Sequence, residues 1–232
     1  MMKKTFVIFG LLGIIILGVL YATRLFYDKK SKLYNVEKEE KELSSNYEIH
    51  DGDLIFQTSL SGQSKAIQLA TKSEYSHCGI IYKDGEDFYV FEAVQPVKKT
   101  KLDKWIARGK DGHFVIKRLK NADKMLTDNA LAKMKQIQQE FNGKDYDLTF
   151  EWSDNKIYCS ELIWKVYQRA TGVEIGKLEK LRDFDLTSEI VKNKMKERYG
   201  DNLPLDEFVI SPKSIFESEL LKTIKTNWSN NY

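Results

Sequence analysis

Apolar residues run almost unbroken from Phe6 to Ala22, and nowhere else does the chain sustain such a run. Lys3 and Lys4 precede it, so residues 1–24 read as a secretory signal peptide or a short N-terminal membrane anchor. No A-x-A cleavage pattern follows, and Leu20-Tyr21-Ala22 is a poor match, which favours the anchor. Residues 25–48 are charge-dense around Lys38 to Lys41 and read as a linker. The pattern then becomes that of a folded domain over residues 49–232. Asp51-Gly52-Asp53 leads a strand at Leu54 to Phe56, and Ser61 to Thr71 has helical character. Ser76 to Tyr82, Phe88 to Val94 and residues 113–119 read as further strands. Thr127 or Asp128 caps a helix that runs to Asn142 and stops at Gly143. Leu162, Ile163, Val166 and Tyr167 recur at helical spacing, giving a helix from Cys159 to Ala170 with Gly172 just beyond it. Ser211-Pro212 starts a last helix, expected to reach about Lys222. Strands early and helices late give an α+β fold.

Composition narrows the function. Hydrophobic residues are 42% and charged residues 31% of 232, and there are only 3 prolines, so one sizeable core is expected. The formal charge is +3, and Lys3, Lys4 and Arg24 account for all of it. Without them 34 basic residues face 34 acidic ones, so the domain carries no electrostatic footprint for nucleic acid. Three histidines, with no H-E-x-x-H and no Cys/His cluster, give no zinc motif, and neither a metal nor a cofactor is expected.

The remaining chemistry lies in Ser76-His77-Cys78-Gly79 and Tyr158-Cys159-Ser160-Glu161-Leu162. Cys159 falls in the first turn of a helix, where unpaired backbone N–H groups stabilise a thiolate. His77 lies on a strand of a hairpin turning at Asp84-Gly85. With those two residues as the loop, Lys83 faces Glu86, Ile81 faces Phe88, Gly79 faces Val90 and His77 faces Glu92. A carboxylate beside an imidazole fixes its tautomer and stabilises the imidazolium. The ordinary readings are a strand histidine satisfied by a carbonyl and a cysteine buried as a small hydrophobe. A Cys78–Cys159 disulfide is the third alternative. Because Cys78 is next to His77, strand alternation points it to the opposite face, so a disulfide and a His77–Cys159 pair are close to mutually exclusive.

Taken in order, Asp51 to Ile55, Ser76 to Ile80, Phe91-Glu92-Ala93, Gly143 to Asp147 and Tyr158 to Leu162 resemble the YiiX-like proteins. These form the circularly permuted papain-fold branch of the NlpC-type superfamily, which includes the lecithin:retinol acyltransferase-like enzymes. The resemblance covers roughly residues 50–215. It implies a small antiparallel barrel-like sheet packed against helices, and a cysteine peptidase- or amidase-like hydrolase without a cofactor. It implies Cys159 as nucleophile, His77 as general base and acid, and Glu92 as the third polar residue, with Tyr158 beside the nucleophile and the oxyanion site. Histidine before cysteine is the order a permuted papain fold produces. Tyr146, Phe150, Trp152 and Tyr158 cluster in sequence near the site and either fill the core or together wall a pocket for an acyl chain or the apolar part of a peptide. The expected substrate is a cell-wall peptide or a lipid, cleaved at an amide or ester by an exported, envelope-associated domain that meets the membrane through its N-terminal segment. The rival reading is a non-catalytic lipid- or peptide-binding envelope protein on the same fold.

Overall fold

A computed structural model describes residues 49–227, preceded by residues 17–28, 30–31 and 38. Most of the expected leader and linker lies outside the described residues; residues 17–28 are helical. Among the described residues no helix is long and apolar enough to cross a membrane.

The domain is built on a six-stranded sheet in which every paired neighbour is antiparallel. Its strands are β1 (Leu54–Gln57), β2 (His77–Asp84), β3 (Asp87–Glu92), β4 (Lys98–Lys101), β5 (Val115–Leu119) and β10 (Leu221–Thr226). They lie in the order β10-β5-β1-β2-β3-β4. Four two-residue strands, β6 (Asp145–Tyr146), β7 (Lys156–Ile157), β8 (Glu179–Lys180) and β9 (Phe208–Val209), make two small side ladders. The helices are α1 (Ser64–Thr71), α2 (Leu102–Arg108), α3 (Ala122–Met125), α4 (Asp128–Phe141), α5 (Cys159–Thr171), α6 (Glu189–Tyr199) and α7 (Pro212–Phe216).

Both faces of the sheet are covered. On one, Leu54, Phe56, Cys78 and Ile80 pack with Met134 and Phe141 of α4 and Leu162, Ile163 and Val166 of α5. On the other, Ile55, Ile81 and Val90 pack with Leu102, Trp105 and Ile106 of α2. Double burial explains why β2 reads as an apolar run without alternation: residues 77–82 are all buried. The caps behave as their residues dictate. Thr127 accepts from Ala130 N at the start of α4, and Gly172 ends α5 with φ 75°.

Two expectations need correction. The last helix stops at Phe216 instead of Lys222, and Leu221–Thr226 forms edge strand β10. Thr223, Ile224 and Thr226 are β-branched, and the free edge of β5 supplies the ladder partners they favour. The hairpin register also differs. Asp84 pairs with Asp87, so the loop is Gly85-Glu86, with the glycine at its first position at φ 64°. The pairs are Lys83–Phe88, Ile81–Val90 and Ile80–Phe91. Continued one step, this register sets Gly79 opposite Glu92. The shift is two residues, so every side chain keeps its face, and His77 and Glu92 remain together as diagonal neighbours.

Gly79 makes that diagonal passable. A Cβ there would lie 2.4 Å from Val90 Cγ1, 2.9 Å from Phe91 O and 3.4 Å from Glu92 Cβ. Gly79→Ala is therefore expected to lower stability by about 1–3 kcal/mol through overpacking. Urea unfolding followed by circular dichroism checks this, and an unchanged midpoint would refute it.

Candidate active site

Cys159 is the first residue of α5, behind Tyr158 in extended conformation. The helix start is pinned from three sides. Ser160 Oγ donates to Ile210 O at 2.7 Å, and Tyr158 Oη accepts from Ile210 N at 3.1 Å. Glu161 Oε2 accepts from Tyr158 N at 3.4 Å. Cys159 thus sits at the positive end of a thirteen-residue helix, with its thiol buried.

His77 opens β2 at the end of the sheet. Its Nε2 donates to Glu92 Oε2 at 2.6 Å, and its ring lies near-parallel to Trp105 with centroids 5.8 Å apart. Glu92 is completely buried. Its Oε2 also accepts from Trp105 Nε1 at 2.9 Å and from Arg108, and its Oε1 accepts from Thr100 Oγ1 at 2.6 Å. Burial alone would push this carboxyl up, but His77 and Arg108 outweigh it and hold it at about 2. With a folded value below its ordinary 4.5, Glu92 stabilises the fold above that pH, and the contribution is lost as pH falls toward 2.

Burial pushes His77 down, but hydrogen bonds and charge from Cys159 and Glu92 raise it to about 9. The Cys159 thiol moves the other way. A hydrogen bond from Cys78 lowers it most, burial opposes, and the His77 side chain and the Cys78 backbone lower it further. Cys78 is itself pushed well up by burial and by Cys159, so it stays a thiol and donates. Both shifts run in the direction that favours a thiolate–imidazolium pair.

The expected trio of Cys159, His77 and Glu92 is brought together. Contrary to the expected exclusion, both Cys78 and His77 reach Cys159. Alternation separates side chains above and below a strand, but these two stand at a strand end, where a helix start is approached from either face. Neither cysteine is in a disulfide.

Of the four aromatics, Tyr146, Phe150 and Tyr158 line a narrow cleft of about 60 Å³ at Cys159, partly open to solvent. Trp152 does not line it; it packs edge-on against Trp164 at 5.2 Å, with Lys165 over its ring. The Tyr158 hydroxyl is engaged by Ile210 and its ring meets Phe150 edge-on at 5.1 Å. Ala66, Ile67, Leu181, Phe184 and Met195 make the rest of the cleft largely apolar. A second, more polar cleft holds His77, Gln95 and Arg108, and Gln63 and Tyr146 belong to both. Tyr146 therefore stands where the two meet. Sequence reasoning missed Thr100, Trp105 and Arg108, although Leu102, Trp105 and Ile106 carry a helical spacing that would have revealed α2.

A papain-like core with histidine ahead of cysteine, and with the nucleophile candidate on a helix start, defines a circularly permuted papain-like protein of the thiol amidase kind. The chain belongs to the permuted papain-like amidase family of YaeF and YiiX, peptidase family C92, whose model matches residues 48–225. It is 48% identical over 177 residues to the Escherichia coli K12 protein named "Uncharacterized protein YiiX", covering 76% of this chain and 86% of that one. A crystal structure titled as metalloprotein yiiX from Escherichia coli O157:H7 matches with a TM-score of 0.73 and 47% identity, over 77% of this chain and 98% of that one. Metal binding is stated there of that protein. Among the described residues of this chain, no group of three or more His, Cys, Asp or Glu is placed to hold a metal ion.

The electrostatics predict the titration of Cys159. Alkylation by iodoacetamide, followed by peptide mapping, should inflect well below the roughly 8.5 of an ordinary thiol. The inflection should move upward in Cys78→Ala and again in His77→Ala. An inflection unmoved by either change would show that neither group acts on the thiol.

Proposed function

We propose that this chain is a thiol hydrolase that cleaves an amide or ester whose acyl part is largely apolar. One observation carries the reading: Cys159 opens into an apolar cleft while its partner His77 is backed at 2.6 Å by the buried Glu92. A binding module needs the cleft but has no use for a lowered thiol, a raised imidazole and a carboxylate holding that imidazole in one tautomer.

The reaction follows from these positions. The Cys159 thiolate attacks the carbonyl carbon, and the carbonyl oxygen becomes an oxyanion. We assign its stabilisation to the Tyr146 hydroxyl, which shares the cleft with Cys159, and to the backbone N–H groups at the start of α5. His77 gives its Nδ1 proton to the departing nitrogen or oxygen, which leaves a thioester on Cys159 and a neutral imidazole. That imidazole removes a proton from water as the water attacks the thioester, and the acid product departs with the thiolate restored. Glu92 stabilises the imidazolium throughout and remains ionised.

The apolar cleft takes the acyl group, and the polar cleft beside His77 takes the leaving group. This favours lipid amides or esters over cell-wall peptides. The N-terminal apolar segment, as anchor or leader, fits a site working at the cell envelope and beside a membrane.

Hydrolysis of p-nitrophenyl esters of increasing chain length tests the reading. Each methylene that enters the cleft is worth about 0.8 kcal/mol, so kcat/KM should rise by about fourfold per CH₂ until the cleft is full. Cys159→Ala and His77→Ala should each lower kcat by about 10⁴ or more. Turnover without chain-length dependence would redirect the assignment to peptides. An ordinary, unactivated Cys159 would move it to a non-catalytic binder.

A further inference from the structure

A chain of hydrogen bonds crosses the cleft beside Cys159. Arg198, in the last turn of α6, donates through Nη2 to Gln63 Oε1. Gln63, the N-cap residue just before α1, donates through Nε2 to Tyr146 Oη at 2.9 Å. Arg198 also lies over the Phe150 ring, 4.9 Å from its centroid, in the wall of the same cleft. The Tyr146 backbone is fixed as well, its N–H donating to Gln95 Oε1 at 2.7 Å.

The direction of this chain is set by chemistry. Arginine has no acceptor, so the Gln63 carbonyl must face Arg198. The Gln63 NH₂ must then face Tyr146, which receives a proton along this bond and cannot donate along it. Its own O–H is turned away from Gln63. No hydrogen bond uses that proton among the described residues, and Tyr146 lines the cleft together with Cys159.

We propose that Gln63 is a positioning residue for acyl transfer: its amide, oriented by Arg198, holds Tyr146 Oη as an acceptor and so aims the tyrosine proton at the oxyanion formed beside Cys159. The inference rests on the thiol-hydrolase reading above. The positive end of the chain at Arg198 adds to its effect, since a charged donor strengthens the bonds that follow it. Tyr146 touches the reacting oxygen; Gln63 and Arg198 act through it.

Gln63→Glu separates this role from a merely structural one. A glutamate accepts from Arg198 at least as well as glutamine, so the strap across the cleft is kept. It also accepts from Tyr146, which pulls the tyrosine proton away from the oxyanion. Two reactions of Cys159 are compared in full-length protein: acylation by p-nitrophenyl acetate, which builds an oxyanion, and alkylation by iodoacetamide, which does not. In Gln63→Glu, acylation should fall by about 10- to 100-fold, within the range seen when an oxyanion donor is lost, while alkylation stays within about twofold. Gln63→Leu, which frees the tyrosine proton without reversing it, should fall less. Tyr146→Phe should match Gln63→Glu, and the double variant should fall no further. Wild-type acylation in Gln63→Glu, a larger fall in Gln63→Leu, or a parallel loss of both reactions would overturn the proposal. Failure of the thiol-hydrolase reading looks different: wild-type Cys159 itself would alkylate like an ordinary thiol.

Discussion

The Glu92 carboxylate is the constraint around which this domain is organised. A charge buried without partners is prohibitively costly, so a carboxylate with no solvent exposure must find its donors inside the fold. Four side chains supply them: His77 from β2, Thr100 from β4, and Trp105 and Arg108 from α2. The excursion from β4 through α2 therefore has a physical purpose beyond covering the sheet. It closes a polar cage in an otherwise apolar layer, with Leu102 and Ile106 packing where Trp105 and Arg108 hydrogen-bond. A satisfied network of this kind holds one geometry, and that geometry includes the tautomer and position of His77.

From His77 the constraint passes to the other half of the molecule. The imidazole spans two cores: Glu92 and Trp105 lie on one face of the sheet, while Cys159 heads a helix packed on the other. Only a residue at a strand end can do this, and His77 is the first residue of β2. Cys78 follows it and meets Cys159 from the helix side, so the thiol receives hydrogen bonds from two consecutive residues. The apolar cleft then begins at the thiol, and the polar one begins at the imidazole. The site lies on the seam between an apolar environment that lowers solvation and a polar one that stabilises charge, and this juxtaposition is what a thiolate–imidazolium pair requires.

Much of this was legible in the chain. The elements with strong local signals appeared where expected: the Thr127-capped helix, the Cys159 helix ending at Gly172, and the strands on either side of Gly85. The His77–Glu92 contact survived an error in the hairpin loop, because a two-residue slip preserves the face of every side chain. Elements with weak local signals were missed. Lys98–Lys101 is a run of charge and threonine with no alternation, and α2 is only seven residues long. The segment after Pro212 is helical only as far as Phe216, because β5 offered an edge that local propensity could not foresee.

The sequence by itself marked Cys159, His77 and Glu92 as candidates and set where most elements start and stop, since caps, glycines and periodicity act over a few residues. Only the tertiary structure decided how they meet. It brought Cys78 and His77, on opposite faces of β2, both to Cys159, recruited Trp105 and Arg108 to Glu92, and sent Trp152 away from the cleft. It also strung Arg198, Gln63 and Tyr146 across the cleft from segments as much as 135 residues apart. Such contacts are settled by packing between distant segments and by the need to pair every buried charge, and neither leaves a short-range mark on the chain.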